Sequence, residues 1–228
     1  MYAVLLPVLC LGSAESAVLQ QPAFSPGVHA SLLGESPVVT RVTIVDPIRK
    51  QAAAPQATFT LARDHFATEE HIKASGMDWT FLRDNLYLDF FPKMVGEDDV
   101  IRGPAGDGAV SAVSRDDIAA SAASVLAEPG AHVGMTYDLT GPEALSMTAV
   151  AETLSSALGR RIRYQEETVQ EAYESRRRWP APDWQYDAWV STYTAIAAGE
   201  LAEVTHHVLT LTGRPPASLA DLLERQNR

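Results

Sequence analysis

Cysteine is almost absent from this chain: its 228 residues include one, Cys10. A single thiol closes no intrachain disulfide and builds no thiolate zinc cluster, and it fits a reducing compartment. A long apolar run is missing as well, since no stretch approaches the roughly 20 residues a membrane helix requires. Residues 1–17 imitate a secretory signal, with an apolar run followed by small residues, but they lack a basic start. A cytoplasmic protein is therefore expected. Positive charge is scarce, with 18 Lys and Arg against 29 Asp and Glu, for a net charge of −11. Such a surface repels phosphate backbones and anionic lipid, which argues against nucleic acid or a membrane as partner. A small molecule in a pocket stays compatible, and a homodimer is left open.

What is present suffices for one substantial core, or one core with an appended lobe, because 46% of the residues are hydrophobic. The chain changes character near residue 56. Residues 1–56 balance Arg41, Arg49 and Lys50 against Glu15, Glu35 and Asp46, so residues 57–228 hold all of the −11. In the first part only 39–46, VTRVTIVD, has the β-branched texture of a buried strand, and 50–56 reads as a linker. From Ala57 onward the pattern is regular. The spacing predicts helices at 59–74, 86–94, 116–127, 147–158, 169–177, 186–198 and 219–225. Strands are expected at 78–82, 135–139 and 161–165, with a hairpin-like turn in VIRGPAGDGAVSAV. Alternating strands and helices imply a parallel or mixed sheet covered on its faces.

Candidate chemistry gathers around Ala57 to Tyr87. In an open α/β sheet, ligands sit just outside the carboxyl ends of strands, which is where Asn85 and Tyr87 fall. His65 shares a helix face with Leu61, Thr68 and Ile72; an imidazole there can exchange protons or simply pack. Adjacent Arg83 and Asp84 are expected to pair with each other or with solvent. Glu69, Glu70 and Lys73 are expected to form a solvated face, and Arg176 to Arg178 a solvated helix end. GPAGDG lacks the Lys and Ser/Thr of a phosphate loop and reads as a structural turn. His206 and His207 are adjacent rather than four apart, so no metal site is expected. Trp179, Trp184, Tyr186, Trp189 and Tyr193 read as lobe packing.

Three ordered blocks carry a family likeness: RDHFATEEHIKASGMDWTFLRDNLY, IRGPAGDGAVSAVSRDDIA and TYDLTGPEALSMTAVAETLSSALGRRIRY. They resemble the NmrA-like atypical short-chain dehydrogenase/reductases, particularly the NAD(P)H:quinone oxidoreductase type. The resemblance implies an α/β fold: a Rossmann-like parallel sheet, here N-terminally incomplete, with a small α-rich C-terminal substrate lobe. It implies NADP or NAD as cofactor and hydride transfer to a quinone or related small acceptor. It also implies His65 as the catalytic group, Asn85 and Leu86 beside the nicotinamide, and Tyr87 and Phe90 beside the substrate. The tyrosine that relatives of the wider family carry four residues before this position is Leu61 here. The family's glycine-rich phosphate loop has no counterpart in residues 1–56, where Gly12, Gly27 and Gly34 stand isolated. Residues 1–56 thus read as an atypical segment and 57–228 as the family domain. A non-catalytic dinucleotide sensor and an inactive truncated member are the alternatives.

Overall fold

The computed structural model describes residues 55–226 and, before them, the backbone of three strands: Val8–Leu11 (β1), Ser16–Leu19 (β2) and Arg41–Asp46 (β3). The third falls on the expected β-branched run. Most of the expected 50–56 linker and the three isolated glycines lie outside the described residues. Next come helix α1 (Thr60–Ala74) and strand β4 (Asp78–Asp84), then a 3-10 helix over Leu88–Met94. Strands β5 (Val100–Gly103) and β6 (Ala109–Val110) precede helix α2 (Arg115–Ala127) and strand β7 (Met135–Leu139). Then follow β8 (Leu145–Ser146), α3 (Met147–Leu158), β9 (Arg163–Glu166) and α4 (Val169–Arg176). The chain continues through α5 (Asp183–Ala197), α6 (His207–Thr212) and α7 (Leu219–Gln226).

The main sheet has the order β2-β1-β3-β4-β7. Strands β3, β4 and β7 run parallel, as the alternation of elements requires, while β1 pairs antiparallel with both β2 and β3. Side chains of β4 alternate between the two faces. Trp79 and Phe81 stack with ring centroids 4.3 Å apart and pack with Ile72 of α1. Leu82 points the other way, into a cluster with Ile118 and Val125 of α2, Tyr137 and Leu139 of β7, and Val208 of α6. Helices therefore cover both faces.

A second and larger core unites the lobe with the start of α1: Phe59 and Ala62 join Leu88, Phe91, Ile101, Met147, Leu154, Ile196 and Leu223. Here the sequence-based expectation of a hairpin fails. Strand β5 pairs in parallel with β9, and β6 pairs antiparallel with β8, so two small sheets replace one local turn. The intervening GPAGDG stretch is clamped from β9. Tyr164 accepts the Ala105 N–H at 3.0 Å and donates to the Gly103 carbonyl at 2.6 Å, and Glu166 accepts the Gly106 N–H at 2.8 Å. It is a structural turn. Gly103 is required by close packing, because a Cβ there would lie 2.3 Å from the Tyr193 ring.

Helix ends follow local chemistry. Ser114 and Ser146 accept backbone N–H groups at the starts of α2 and α3, and Thr168 with Glu171 forms a capping box on α4. Gly159 ends α3 in the left-handed region at φ +63°. Helix α6, which the sequence reading missed, is tied to β7: the Asp138 N–H donates to His207 Nδ1 at 2.9 Å. That bond gives His207 a structural role. Among the described residues no group of His, Cys, Asp and Glu is arranged to hold a metal, and no helix is long and apolar enough to cross a membrane.

Candidate functional site

Three expectations about charge are corrected by packing. Glu69 is not on a solvated face but only 1% exposed, and Arg83 is buried beside it rather than solvated. Arg83 grips Glu69 in a two-pronged ion pair, Nε to Oε1 at 2.6 Å and Nη2 to Oε2 at 2.5 Å. Arg83 follows Trp79 and Phe81 on the face of β4 toward α1, so its guanidinium must meet the helix, and the planar fork matches a carboxylate. Lys73 approaches the same carboxylate at 3.7 Å. In the lobe, Arg176 is likewise buried rather than solvated. It binds Glu167 at 3.0 Å, donates to the carbonyl of Arg102, and lies 5.1 Å from the centre of the Tyr193 ring. Arg177 and Arg178 are exposed, as expected.

The Glu69–Arg83 pair fixes the axial register of α1 against β4, and that register positions His65. One helical turn separates His65 from Glu69, about 6 Å toward the carboxyl ends of the strands. Two residues of strand beyond Arg83 cover a similar distance, which brings His65 level with Asn85. His65 is half-buried there. Asp84, at the end of β4, is fully buried.

Asn85 is 1% exposed, and its side chain is committed inside the protein. Nδ2 donates to Ser111 Oγ at 2.8 Å and to the Leu201 carbonyl at 3.0 Å, while Oδ1 accepts the Leu86 N–H at 2.7 Å. Its backbone N–H donates to the Leu139 carbonyl at 3.0 Å. Ser111 in turn donates to the Glu203 carbonyl at 2.6 Å. This amide therefore locks the end of β4 to the 111 segment and to the 201–203 turn. Its polar atoms hold the floor of the site rather than facing a ligand. Leu86 continues the same seam, its carbonyl accepting the Val113 N–H at 2.8 Å, and its side chain packs on the lobe core.

Tyr87 and Phe90 come next, both half-buried, their rings 5.6 Å apart and inclined by 25°. Beyond them Lys93 places its ammonium 5.5 Å from the centre of Phe90. On the far side of this 3-10 helix, Leu88 and Phe91 are buried. Asp89 caps α2 by accepting the Arg115 N–H at 3.0 Å. The structure thus brings Asn85, Leu86, Tyr87 and Phe90 together at the carboxyl end of β4, with His65 on the adjoining helix. Sequence reasoning missed Ser111 and Lys93. Lys93 could have been found from its spacing: 87, 90 and 93 lie three apart.

A separate groove of about 660 Å³ lies between α4 and α5, lined by Tyr173, Arg177, Asp183, Tyr186 and Asp187. None of the expected site residues borders it. Buried phenols elsewhere serve the lobe core: Tyr193 has its pKa pushed up to about 12, chiefly by burial. The half-buried Tyr164 phenol is also raised, by desolvation and by its hydrogen bond to Glu166.

No family model matches the chain. It is 33% identical to an NAD(P)H azoreductase of Xenophilus azovorans over 172 residues, 74% of this chain and 60% of that protein. It is 30% identical to quinone oxidoreductase 2 of Escherichia coli (strain K12) over 165 residues, 71% of this chain and 57% of the relative. Among solved structures, the NADPH-dependent quinone oxidoreductase of Escherichia coli in complex with NADPH superposes with a TM-score of 0.73 at 27% identity. That match covers 83% of this chain and 66% of the other. The chain thus spans about 60% of the length of the curated relatives it matches.

Proposed function

We propose that the chain is a member of the NmrA-like atypical short-chain dehydrogenase/reductases, similar to the NAD(P)H:quinone oxidoreductase type, and that it carries the acceptor side of a hydride-transfer site. The donor would be NADPH or NADH and the acceptor a quinone or a related flat small molecule. One observation supports the reading: a locked amide and a pair of near-parallel rings follow one another at the carboxyl end of β4, with an imidazole on the helix that packs beside that strand. Open α/β sheets bind ligands at that edge.

The described residues fit the nicotinamide and acceptor ends of such a site but not the pyrophosphate. The Gly106 N–H of the GPAGDG turn is already bound to Glu166, and residues 1–56 hold only isolated glycines. When bound, the reduced nicotinamide supplies the hydride. Tyr87 and Phe90 stack on the acceptor and keep water from one side of it. Asn85 holds the end of β4 and the 201–203 turn at fixed spacing. His65 hands a proton to the acceptor oxygen. In this reading residues 57–228 form the family domain, and the single cysteine supports a cytoplasmic setting.

The test is NADPH titration of the purified chain followed by quinone-dependent NADPH oxidation. Turnover is expected, reduced roughly 10²-fold by His65→Ala. Turnover unchanged in that variant removes His65 from the chemistry, and absence of dinucleotide binding overturns the enzyme reading. A non-catalytic dinucleotide sensor is the second reading. It is favoured by Leu61 at the position of the family's tyrosine and by the internal commitment of the Asn85 amide. Binding without turnover would select it.

A further inference from the structure

We propose that the groove between α4 and α5 binds a zwitterionic small molecule of the α-amino acid type, its carboxylate on Arg177, its ammonium on Asp183 and its apolar body against Tyr173 and Tyr186. The groove has a volume of about 660 Å³ and lies apart from the residues at the carboxyl end of β4. Helices α4 and α5 form a hairpin joined by residues 177–182. The Tyr173 hydroxyl donates to Asp187 Oδ1 at 2.8 Å, which ties the two helices together across the groove. One helical turn toward the connection, about 6 Å, sets Arg177 opposite Asp183, because each stands four residues from a member of that pair.

Two opposite charges thus stand level across the groove. Among the described residues, neither Arg177 nor Asp183 forms an ion pair or a side-chain hydrogen bond, and the groove stays open between them. The neighbouring arginines are both engaged: Arg176 is buried against Glu167, and Arg178 lies 4.0 Å from the centre of the Trp179 ring. Tyr186 is fixed by its hydroxyl, which donates to the Trp179 carbonyl at 2.8 Å and accepts the Ala181 N–H at 3.2 Å. Tyr173 is half-buried, and its bond to Asp187 engages the hydroxyl while leaving the ring without a stacking partner among the described residues. An ammonium beside Asp183 gains further from such a ring face. A simple anion entering the groove would meet Asp183 and Asp187, and a simple cation would meet Arg177. A molecule that carries both charges satisfies both sides, so charge pattern rather than net charge selects the ligand.

L-phenylalanine is the probe, with phenethylamine, which keeps only the ammonium, and hydrocinnamate, which keeps only the carboxylate. Each is titrated into the purified chain and followed by amide and side-chain NMR shifts. Phenylalanine is expected to bind most tightly and to perturb Tyr173, Arg177, Asp183 and Tyr186. Arg177→Met should weaken phenylalanine about threefold, the size of an exposed ion pair, and should not weaken phenethylamine. Asp183→Asn should weaken phenylalanine by a similar factor and should not weaken hydrocinnamate. Both side chains are exposed, so the two variants should melt with the unaltered chain. No binding of phenylalanine, equal affinity for the three compounds, equal phenylalanine affinity in the variants and the unaltered chain, or shifts confined to residues outside the groove would each overturn the proposal.

Discussion

Replacing Glu69 with methionine should destabilise the chain far more than any surface substitution. The carboxylate is 1% exposed and holds Arg83, itself 7% exposed, through two hydrogen bonds of 2.6 and 2.5 Å. Methionine has similar volume, so little cavity forms, but the guanidinium is left buried without its counter-ion. Breaking a buried pair in this way costs about 3–5 kcal/mol. Because a domain of this size is stable by only about 5–15 kcal/mol, about a fifth or more of the total would go. At roughly 2–4 °C per kcal/mol the melting temperature should fall by about 6–20 °C. Arg83→Met should be less severe, because Lys73 remains 3.7 Å from the carboxylate. The double variant Glu69→Met/Arg83→Met should recover about 2 kcal/mol or more relative to the sum of the singles. Urea denaturation, followed by tryptophan fluorescence with Trp79 stacked on Phe81 along the same face of β4, reads all three. A Glu69→Met variant within 1 kcal/mol of the unaltered chain, or strictly additive singles, would refute the claim that this pair sets the register of α1.

Asn85→Ala should cost about 1–3 kcal/mol, because Ser111 Oγ and the Leu201 carbonyl lose a buried donor; amide exchange should accelerate around 201–203 before the helices respond. Gly108→Ala should cost more than Gly106→Ala, since a Cβ at Gly108 would lie 2.1 Å from the Ile196 carbonyl oxygen while Gly106 has open space and only its φ of +53° to object. Comparative melting of the two variants decides it. Alkali should weaken the fold in a definite window. Tyr193 titrates near 10 when unfolded and near 12 when folded, so the unfolded chain releases its proton first. Stability is then complete below pH 10 and falls as the pH climbs toward 12, by at most about 1.4 kcal/mol per pH unit for this group. Denaturation midpoints on either side of pH 10 test this, and Tyr193→Phe should flatten the slope.

Much of the fold could be read from the sequence where the cause was local. Helix α3 matches its expected limits because Ser146 caps one end and Gly159 turns the other. Strand β7 begins and ends as expected, and β3 follows its β-branched run. The errors occur where the partner is distant. VIRGPAGDGAV looks like a hairpin because glycines and a proline sit between apolar runs, yet β5 finds its neighbour in β9, some sixty residues on. HVLTLT has strand-like Val and Thr, and only its position against β7 makes it helical. The site divides the same way. Position at the strand end made Asn85 and Tyr87 candidates, and the family resemblance added Phe90, but the commitment of the Asn85 amide to Ser111 and Leu201 depends on residues 26 and 116 positions away. Charge was the least legible property, because Glu69 and Arg176 look like ordinary surface residues until their partners Arg83 and Glu167 are folded against them.

The central claim, that the carboxyl end of β4 is the acceptor side of a hydride-transfer site, is tested most directly by a crystal structure of the chain with NADPH and a naphthoquinone. The quinone ring should lie against Tyr87 and Phe90, with a carbonyl oxygen within hydrogen-bond reach of His65. A quinone held between Tyr173 and Tyr186, with nothing bound at Tyr87 and Phe90, would contradict the account.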